Sequence, residues 1–345
     1  MKARASIPLR NTDLRGALSR RDTLASMLSA ILFAVAVRPG SAYAASDYPN
    51  KPIKLIVDST PGGLTDLLAR IAGDRVARSL GTPLVVDNKA GANGRLAQDS
   101  LIRSPADGYT LLFCSNGSLF STPFLDKGSA IDPVVEMQGV FGAGDAPHLL
   151  VVSGSLPVKT LTDFIAYAKA NPRAIFYGSA GTGSIPHISM SHLAFLAGIQ
   201  AEHVPYKGLA PAVSDLLAGQ LQAMVTSLGT VRSYLKSGQL KALAVAAKKR
   251  LASLPEVPTS TEAGLAAWQM STWFGVFAPK QTGKNVLLRL NSALEAAFED
   301  QGVKQKLLEL GVEPMAGSLE SFAQRVRDDH AAYARIIKGS GVKLE

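Results

Sequence analysis

The sequence predicts an α/β fold of two lobes, with the chain crossing between them twice. Three observations carry that expectation. Short apolar strands, glycine-containing loops and amphipathic helices alternate along the chain, the pattern of a largely parallel sheet with helices on both faces. The rhythm restarts after residues 141–147 and again after residues 268–279. Two helical stretches then close the chain. Lobe one is expected from residues 45–144 together with 275–345, and lobe two from residues 145–274. Ligands in open α/β sheets lie outside the carboxyl ends of the strands, so a central cleft between the lobes is the expected site.

Each element follows from local pattern. The apolar run Leu55–Val57 reads as a strand that enters the turn Pro61-Gly62-Gly63. Leu64, Leu67, Leu68, Ile71 and Val76 recur at helical spacing and predict a helix from Leu64 to Leu80. Leu84–Val86 is a strand before the loop Asn88–Gly94 and a helix through Ile102. Thr110–Phe113 leads to Ser115-Asn116-Gly117 and a short helix. The glycines in Phe141-Gly142-Ala143-Gly144-Asp145-Ala146-Pro147 suggest a crossover connection before a strand at His148–Val152. Thr160 introduces a helix over Leu161–Ala170, and Ile175–Tyr177 is a strand ending in the small-residue loop Gly178–Ser184. A helix over Ile185–Leu196, a strand at Glu202–Val204, the loop Pro205–Gly208 and a helix over Ala210–Ala218 follow. Gln222–Thr226 and Lys241–Ala246 are further strands, and Trp268–Pro279 is the second crossover. Asn285–Glu309 and Leu319–Ile337 are amphipathic and helical.

The N-terminus reads as a cleaved signal peptide over residues 1–44. A basic stretch ends at Arg20-Arg21, an apolar run extends from Leu24 to Val37, and Ala42-Tyr43-Ala44 supplies small residues for cleavage before Ala45. The apolar run is 14 residues, too short to span a bilayer comfortably. Arg20-Arg21 with Leu24 is similar to a twin-arginine signal, although Thr23 stands at the usual aromatic position. The route of export stays open. Of the 36 Lys/Arg and 27 Asp/Glu, seven and two fall before residue 45, leaving 29 and 25 and reducing the net charge from +9 to +4. The basic excess is therefore largely a targeting feature, and nucleic acid is not an expected partner. Cys114 is the single cysteine, so no intrachain disulfide is possible, and there is no CxxC or Cys/His metal spacing. No metal and no cofactor are expected.

Two loops could carry binding chemistry. Pro61-Gly62-Gly63-Leu64-Thr65-Asp66, preceded by Asp58-Ser59-Thr60, joins a strand to a helix without the lysine of a phosphate loop. It could present bare backbone N–H groups to a carboxylate, or be a tight turn with Thr65 or Asp66 as a cap. Ser179-Ala180-Gly181-Thr182-Gly183-Ser184 is its counterpart in the second lobe, able to hold an anion through N–H and O–H donors or to act as a flexible loop capped by Ser184. One such loop per lobe favours a two-sided clamp. Asn88–Gly94 and Cys114–Gly117 complete the rim of lobe one, where Ser115 and Asn116 could touch a ligand or make turns. His187 either orients the small-residue loop or touches the ligand. Its five-residue spacing to His192 does not place the two on one helical face. Tyr206 could stack on a ligand or pack at the rim.

These segments, in order, resemble the Bug-type solute receptors of tripartite tricarboxylate transporters. The resemblance covers residues 48–340. It runs through Tyr48-Pro49-Asn50-Lys51-Pro52-Ile53, the Pro-Gly-Gly turn, Asn88–Gly94 and Pro105-Ala106-Asp107-Gly108-Tyr109-Thr110-Leu111. It continues through Gly178–Ser184 with His187, Val204–Gly208, Pro211–Gln220, Pro255–Thr259 and Trp273-Phe274-Gly275. It implies a periplasmic binding protein type II fold without catalysis. It also implies a small organic acid as ligand and membrane permease components as partners. In such receptors the loops matching 60–66 and 179–184 pinch a carboxylate, and those matching 115–117 and 206 shape the rest of the pocket. A monomer is expected. One departure stands out: the family carries an apolar or aromatic stretch before the turn, where this chain has Asp58-Ser59-Thr60. Asp58 could face the cleft and oppose a second ligand carboxylate, or point inward and accept a backbone N–H.

Two other readings use the same residues. An extracytoplasmic sensor would share fold and site. A secreted hydrolase would use Ser179 or Ser184 with His187, but no GxSxG elbow and no orienting acid accompany them.

Overall fold

A computed structural model describes residues 48–125, 132–315 and 317–340. The signal-peptide reading falls outside these residues. From the N-terminal side, β1 (Ile53–Val57), α1 (Leu64–Leu80), β2 (Leu84–Asn88), α2 (Arg95–Ile102), β3 (Thr110–Ser115) and α3 (Asn116–Leu125) follow the expected alternation. β1 lies between β2 and β3 and is parallel to both. The apolar face of α1, with Leu68, Ala69, Ala72 and Val76, packs on Ile53, Leu55 and Val57 of β1. Gly81, in the left-handed region at φ 69°, ends α1 by turning its N–H back to the last carbonyls.

A short α4 (Pro133–Glu136) precedes β4 (Met137–Ser153), the longest strand. Then come α5 (Leu161–Ala170), β5 (Phe176–Ser179), α6 (Ile185–Ala197), β6 (Glu202–Pro205), α7 (Leu209–Leu217), β7 (Ala223–Ser227), α8 (Leu228–Lys236), β8 (Leu240–Val245) and β9 (Ser271–Pro279). Thr160 opens α5 with a reciprocal capping box to Asp163. The chain closes through α9 (Lys284–Glu299), α10 (Gln301–Glu309), β10 (Glu313–Pro314) and α11 (Leu319–Ser340). One sheet runs β2-β1-β3-β9-β4 with β10 on its β4 edge; the other runs β8-β4-β7-β5-β6.

Two expectations are revised here. The segments 141–147 and 268–279 do carry the chain between the two sheets, but as strands rather than loops. The first is the middle of β4 and the second is largely β9, paired antiparallel from Met137↔Pro279 to Pro147↔Ser271. β4 then continues into the second sheet, pairing with β7 from His148 onward. At about 3.3 Å per residue its 17 residues reach roughly 55 Å, long enough to serve both sheets. The glycines that suggested a loop make room instead. A Cβ on Gly139, Gly142 or Gly275 would stand 2.8, 2.9 or 2.3 Å from Phe322, which α11 lays across these strands. The second correction concerns strand direction. β1–β3 and β5–β7 pair in parallel, but both sheets are mixed, because a chain that leaves one lobe and returns must run its two bridging strands in opposite senses.

Candidate ligand cleft

The turn after β1 is held from within by Asp66. Its carboxylate accepts the Gly62 N–H at 2.9 Å, Arg70 Nε at 2.9 and 3.0 Å, and Asn88 Nδ2 at 2.9 Å. Asn88 Nδ2 also donates to the Ser59 carbonyl at 3.0 Å. Burial alone would raise the Asp66 pKa. The hydrogen bonds from Arg70, Gly62 and Asn88, with the Arg70 charge, outweigh it and hold the group at about 2. Gly62 takes φ 82°, which lets the turn fold back onto that carboxylate. Gly63, the N-cap of α1, offers no side chain to the first N–H groups of the helix. The N–H groups of Leu64, Thr65 and Asp66 therefore have no acceptor within the helix and carry its positive end.

The loop after β5 is held by neutral groups. Ser179 is fully buried; its Oγ donates to Gly181 O at 3.0 Å, accepts Gly181 N–H at 3.1 Å and lies 2.7 Å from His203 Nε2. His187 Nδ1 accepts the Gly183 N–H at 3.0 Å, which places the proton of the neutral ring on Nε2. The His187 and His203 rings stack at 3.8 Å with an interplanar angle of 7°. Burial first, then the charge His203 would carry, lowers the His187 pKa to about 4. Burial likewise lowers that of His203. Both rings are neutral near pH 7. Ser184, the N-cap of α6, turns its hydroxyl to Gly181 O at 2.7 Å and leaves the helix N–H groups uncapped.

Between these loops lies a cavity of about 610 Å³. Lobe one lines it with Asp58, Ser59 and Thr65, with Gly91–Gly94, and with Ser115, Gly117 and Ser118; Ala180, Gly183–Pro186, Leu209 and Thr272 complete the wall. The other residues expected at the site stand behind or beside it. Gly62, Gly63 and Asp66 shape and brace the turn. Ser179, Gly181 and His187 brace the second loop, and Thr60 and Thr182 lie outside the wall. Asn116 is turned away: its amide donates to Ser271 O at 3.0 Å and its Oδ1 accepts Trp273 N–H at 3.2 Å. The Tyr206 hydroxyl donates to Asp215 at 2.5 Å, and Leu209 rather than Tyr206 reaches the wall.

Ser118 and Thr272 escaped the sequence reading. Ser118 follows Ser115 by one helical turn, a spacing that could have flagged it. Thr272 arrives from a strand 150 residues away, where His148 Nε2 meets it at 3.0 Å. Asp58 accepts the Ser118 hydroxyl and, at 3.4 Å, the Ser115 N–H, both on Oδ2. Burial raises its pKa to about 6 against the lowering effect of those bonds. Gly94 makes the approach of Ser118 possible. At φ 88° a side chain is strained, and a Cβ there would stand 2.5 Å from Ser118 Cβ.

Two α/β lobes bridged by paired strands, with two helix starts on one cleft, define a two-lobed solute-binding protein of the type II class. The sequence profile of the tripartite tricarboxylate transporter family receptor matches residues 68–342. The chain belongs to this family of solute receptors and is of the Bug type. It is 33% identical over 302 residues to protein BugT of Bordetella pertussis (strain Tohama I), covering 87% of this chain and 93% of BugT. Among solved structures it is similar to Rhodopseudomonas palustris Rpa4515 with adipate, at 33% identity and a TM-score of 0.76 over 86% of this chain and 99% of that one. It is also similar to MatC from the same organism with bound malate, at 28% identity and a TM-score of 0.72 over 84% and 100%.

Proposed function

We propose that this chain is a periplasmic receptor, exported with a cleaved signal peptide, that binds a small organic carboxylate as a monomer and delivers it to the membrane permease components of a tripartite transporter. The carrying observation is the pairing of two uncapped helix starts, at Leu64 and Ile185, on one cavity. Unbonded backbone N–H groups at helix starts on one cavity suit an anion. The carboxylates held by Rpa4515 and MatC support the same chemistry here. Closure would bend the β4–β9 ribbon near residues 144–147 and 271–279, bringing Ser184 toward Thr65. No catalytic role is assigned. Ser179 contacts His203 and the Ser184 hydroxyl donates to Gly181 O, so neither serine is paired with His187 as the hydrolase reading requires.

The test is a thermal-shift screen of the chain from Ala45 against three- to six-carbon organic acids. A ligand at 100 times its Kd adds about 2.7 kcal/mol, a rise of roughly 5 °C for a chain of this size. A screen in which no acid raises Tm would count against the carboxylate reading.

A further inference from the structure

The cavity wall has an unusual charge balance for a site meant to hold an anion. Among its described residues the one ionisable side chain is Asp58, an acid. Nearby cations are engaged elsewhere: Arg70 with Asp66 and Asn88, and Lys89 with Ser100. The positive potential in the cleft therefore comes from the starts of α1 and α6. Each helix start amounts to roughly half an elementary charge. Together they match one carboxylate and leave nothing for a second.

Asp58 is also held in place. It follows the last residue of β1, so it projects from the carboxyl edge of the sheet into the ligand space. The Ser118 hydroxyl and Ser115 N–H anchor Oδ2. Gly94 packs behind it, where an added Cβ would lie 3.5 Å from Asp58 Cβ. The buried Cys114 thiol, whose pKa is raised by burial and by the Asp58 charge, is the titratable group behind it on β3. The backbone N–H of Asp58 itself also bonds the carboxyl, which is fixed at the cavity wall.

We propose that Asp58 sets which acids the receptor accepts: it selects carboxylates whose other end is a hydrogen-bond donor (an amine, amide or hydroxyl) and refuses dianions. The inference rests on the carboxylate-receptor reading and adds the chemistry of the distal end. Two carboxylates about 5 Å apart at an effective dielectric near 20 repel strongly, and the cost of protonating Asp58 instead limits the penalty on the dianion to roughly thirtyfold at pH 7.5. An ammonium or amide at the same place gains a charge-assisted hydrogen bond.

The test is calorimetric binding at pH 7.5 with length-matched sets of four, five and six carbons. Each set comprises the dicarboxylate, its monoamide and the terminal amino acid, for example glutarate, glutaramate and 5-aminopentanoate. The wild-type protein is expected to bind the monoamide or amino acid at least tenfold more tightly than the dicarboxylate. Asp58→Asn, which keeps an acceptor for Ser118 and Ser115, should gain at least tenfold for the dicarboxylate and lose affinity for the amino acid. If the variant does not fold, the wild-type ranking alone decides. Equal or tighter binding of the dicarboxylate by the wild type overturns the inference and leaves the receptor reading standing. Dicarboxylate binding with uptake of a proton would mean that Asp58 serves as a protonated donor, and also overturns it. Failure of every acid to bind removes the carboxylate reading and this inference with it.

Discussion

The two loops that face each other across the cleft have nearly the same backbone plan and opposite support. Each follows a parallel strand, turns through glycines and opens a helix whose first N–H groups are uncapped. The turn after β1 is braced by charge, with Asp66 gripping Gly62 N–H, Arg70 and Asn88. The loop after β5 is braced by a neutral stack, with His187 accepting Gly183 N–H and His203 in hydrogen-bond contact with Ser179. The proposed anion-binding geometry is thus a property of the backbone, and the side chains behind it are free to differ. The difference shows under acid. A carboxylate held at about 2 keeps its grip through pH 4, whereas the His187 acceptor is lost once its ring is protonated.

The contrast can be broken from either side. The largest effect is expected from Asp66→Ala, which takes the shared acceptor from Gly62 N–H, Asn88 and Arg70. Breaking a hydrogen-bonded ionic network of this kind costs about 2–3 kcal/mol, read in urea unfolding, and ligand affinity should fall more than tenfold as the turn loosens. His187→Leu removes the acceptor for a buried N–H and should cost about 1–3 kcal/mol in the same assay. His187→Asn, which can restore that acceptor, should recover part of the loss.

The pH dependence sharpens the comparison. His187 has a folded pKa near 4, below its unfolded value of about 6.5. The unfolded state therefore binds more protons, and stability from this residue is lost as pH falls from about 6.5 to 4. The difference in unfolding free energy between wild type and His187→Asn should move in favour of the variant over that window, by an amount on the order of 2 kcal/mol. Asp58 runs the other way. Its folded pKa is raised to about 6, so its contribution is present below about pH 4 and is lost as pH rises through 6. Asp58→Asn should be about 1–2 kcal/mol more stable than wild type at pH 7.5 and no more stable at pH 4. The smallest effect belongs to Thr60→Ala. Thr60 is exposed and works through its carbonyl, which accepts Gly63 N–H at 3.1 Å, so stability should change by less than about 0.5 kcal/mol.

Much of this was legible in the sequence because it is local. The apolar spacing from Leu64 to Val76 and the glycine at 81 define α1 to the residue. Thr160 marks the start of α5 by capping chemistry that spans four residues. The bridging strands were not legible, since the glycines at 139, 142 and 275 make space for Phe322, a partner far along the chain. At the site, position relative to a strand end pointed to Asp58, Ser59 and Thr65, all of which line the cavity. The roles of Asp66, Asn116 and Tyr206 depend on Arg70 and Asn88, on Ser271, and on Asp215. For Asn116 in particular, no local pattern distinguishes an amide facing a ligand from one facing β9.

The central claim is that two helix starts, one per lobe, grip the same carboxylate. Backbone amide shifts of the nitrogen-15-labelled protein, followed while the tightest-binding acid of the screen is titrated in, test it most directly. The account predicts that the largest perturbations fall together on Leu64, Thr65 and Asp66 and on Ile185 and His187, saturating with one Kd. Perturbations confined to one lobe, or absent from both loops while binding is measurable, would contradict it.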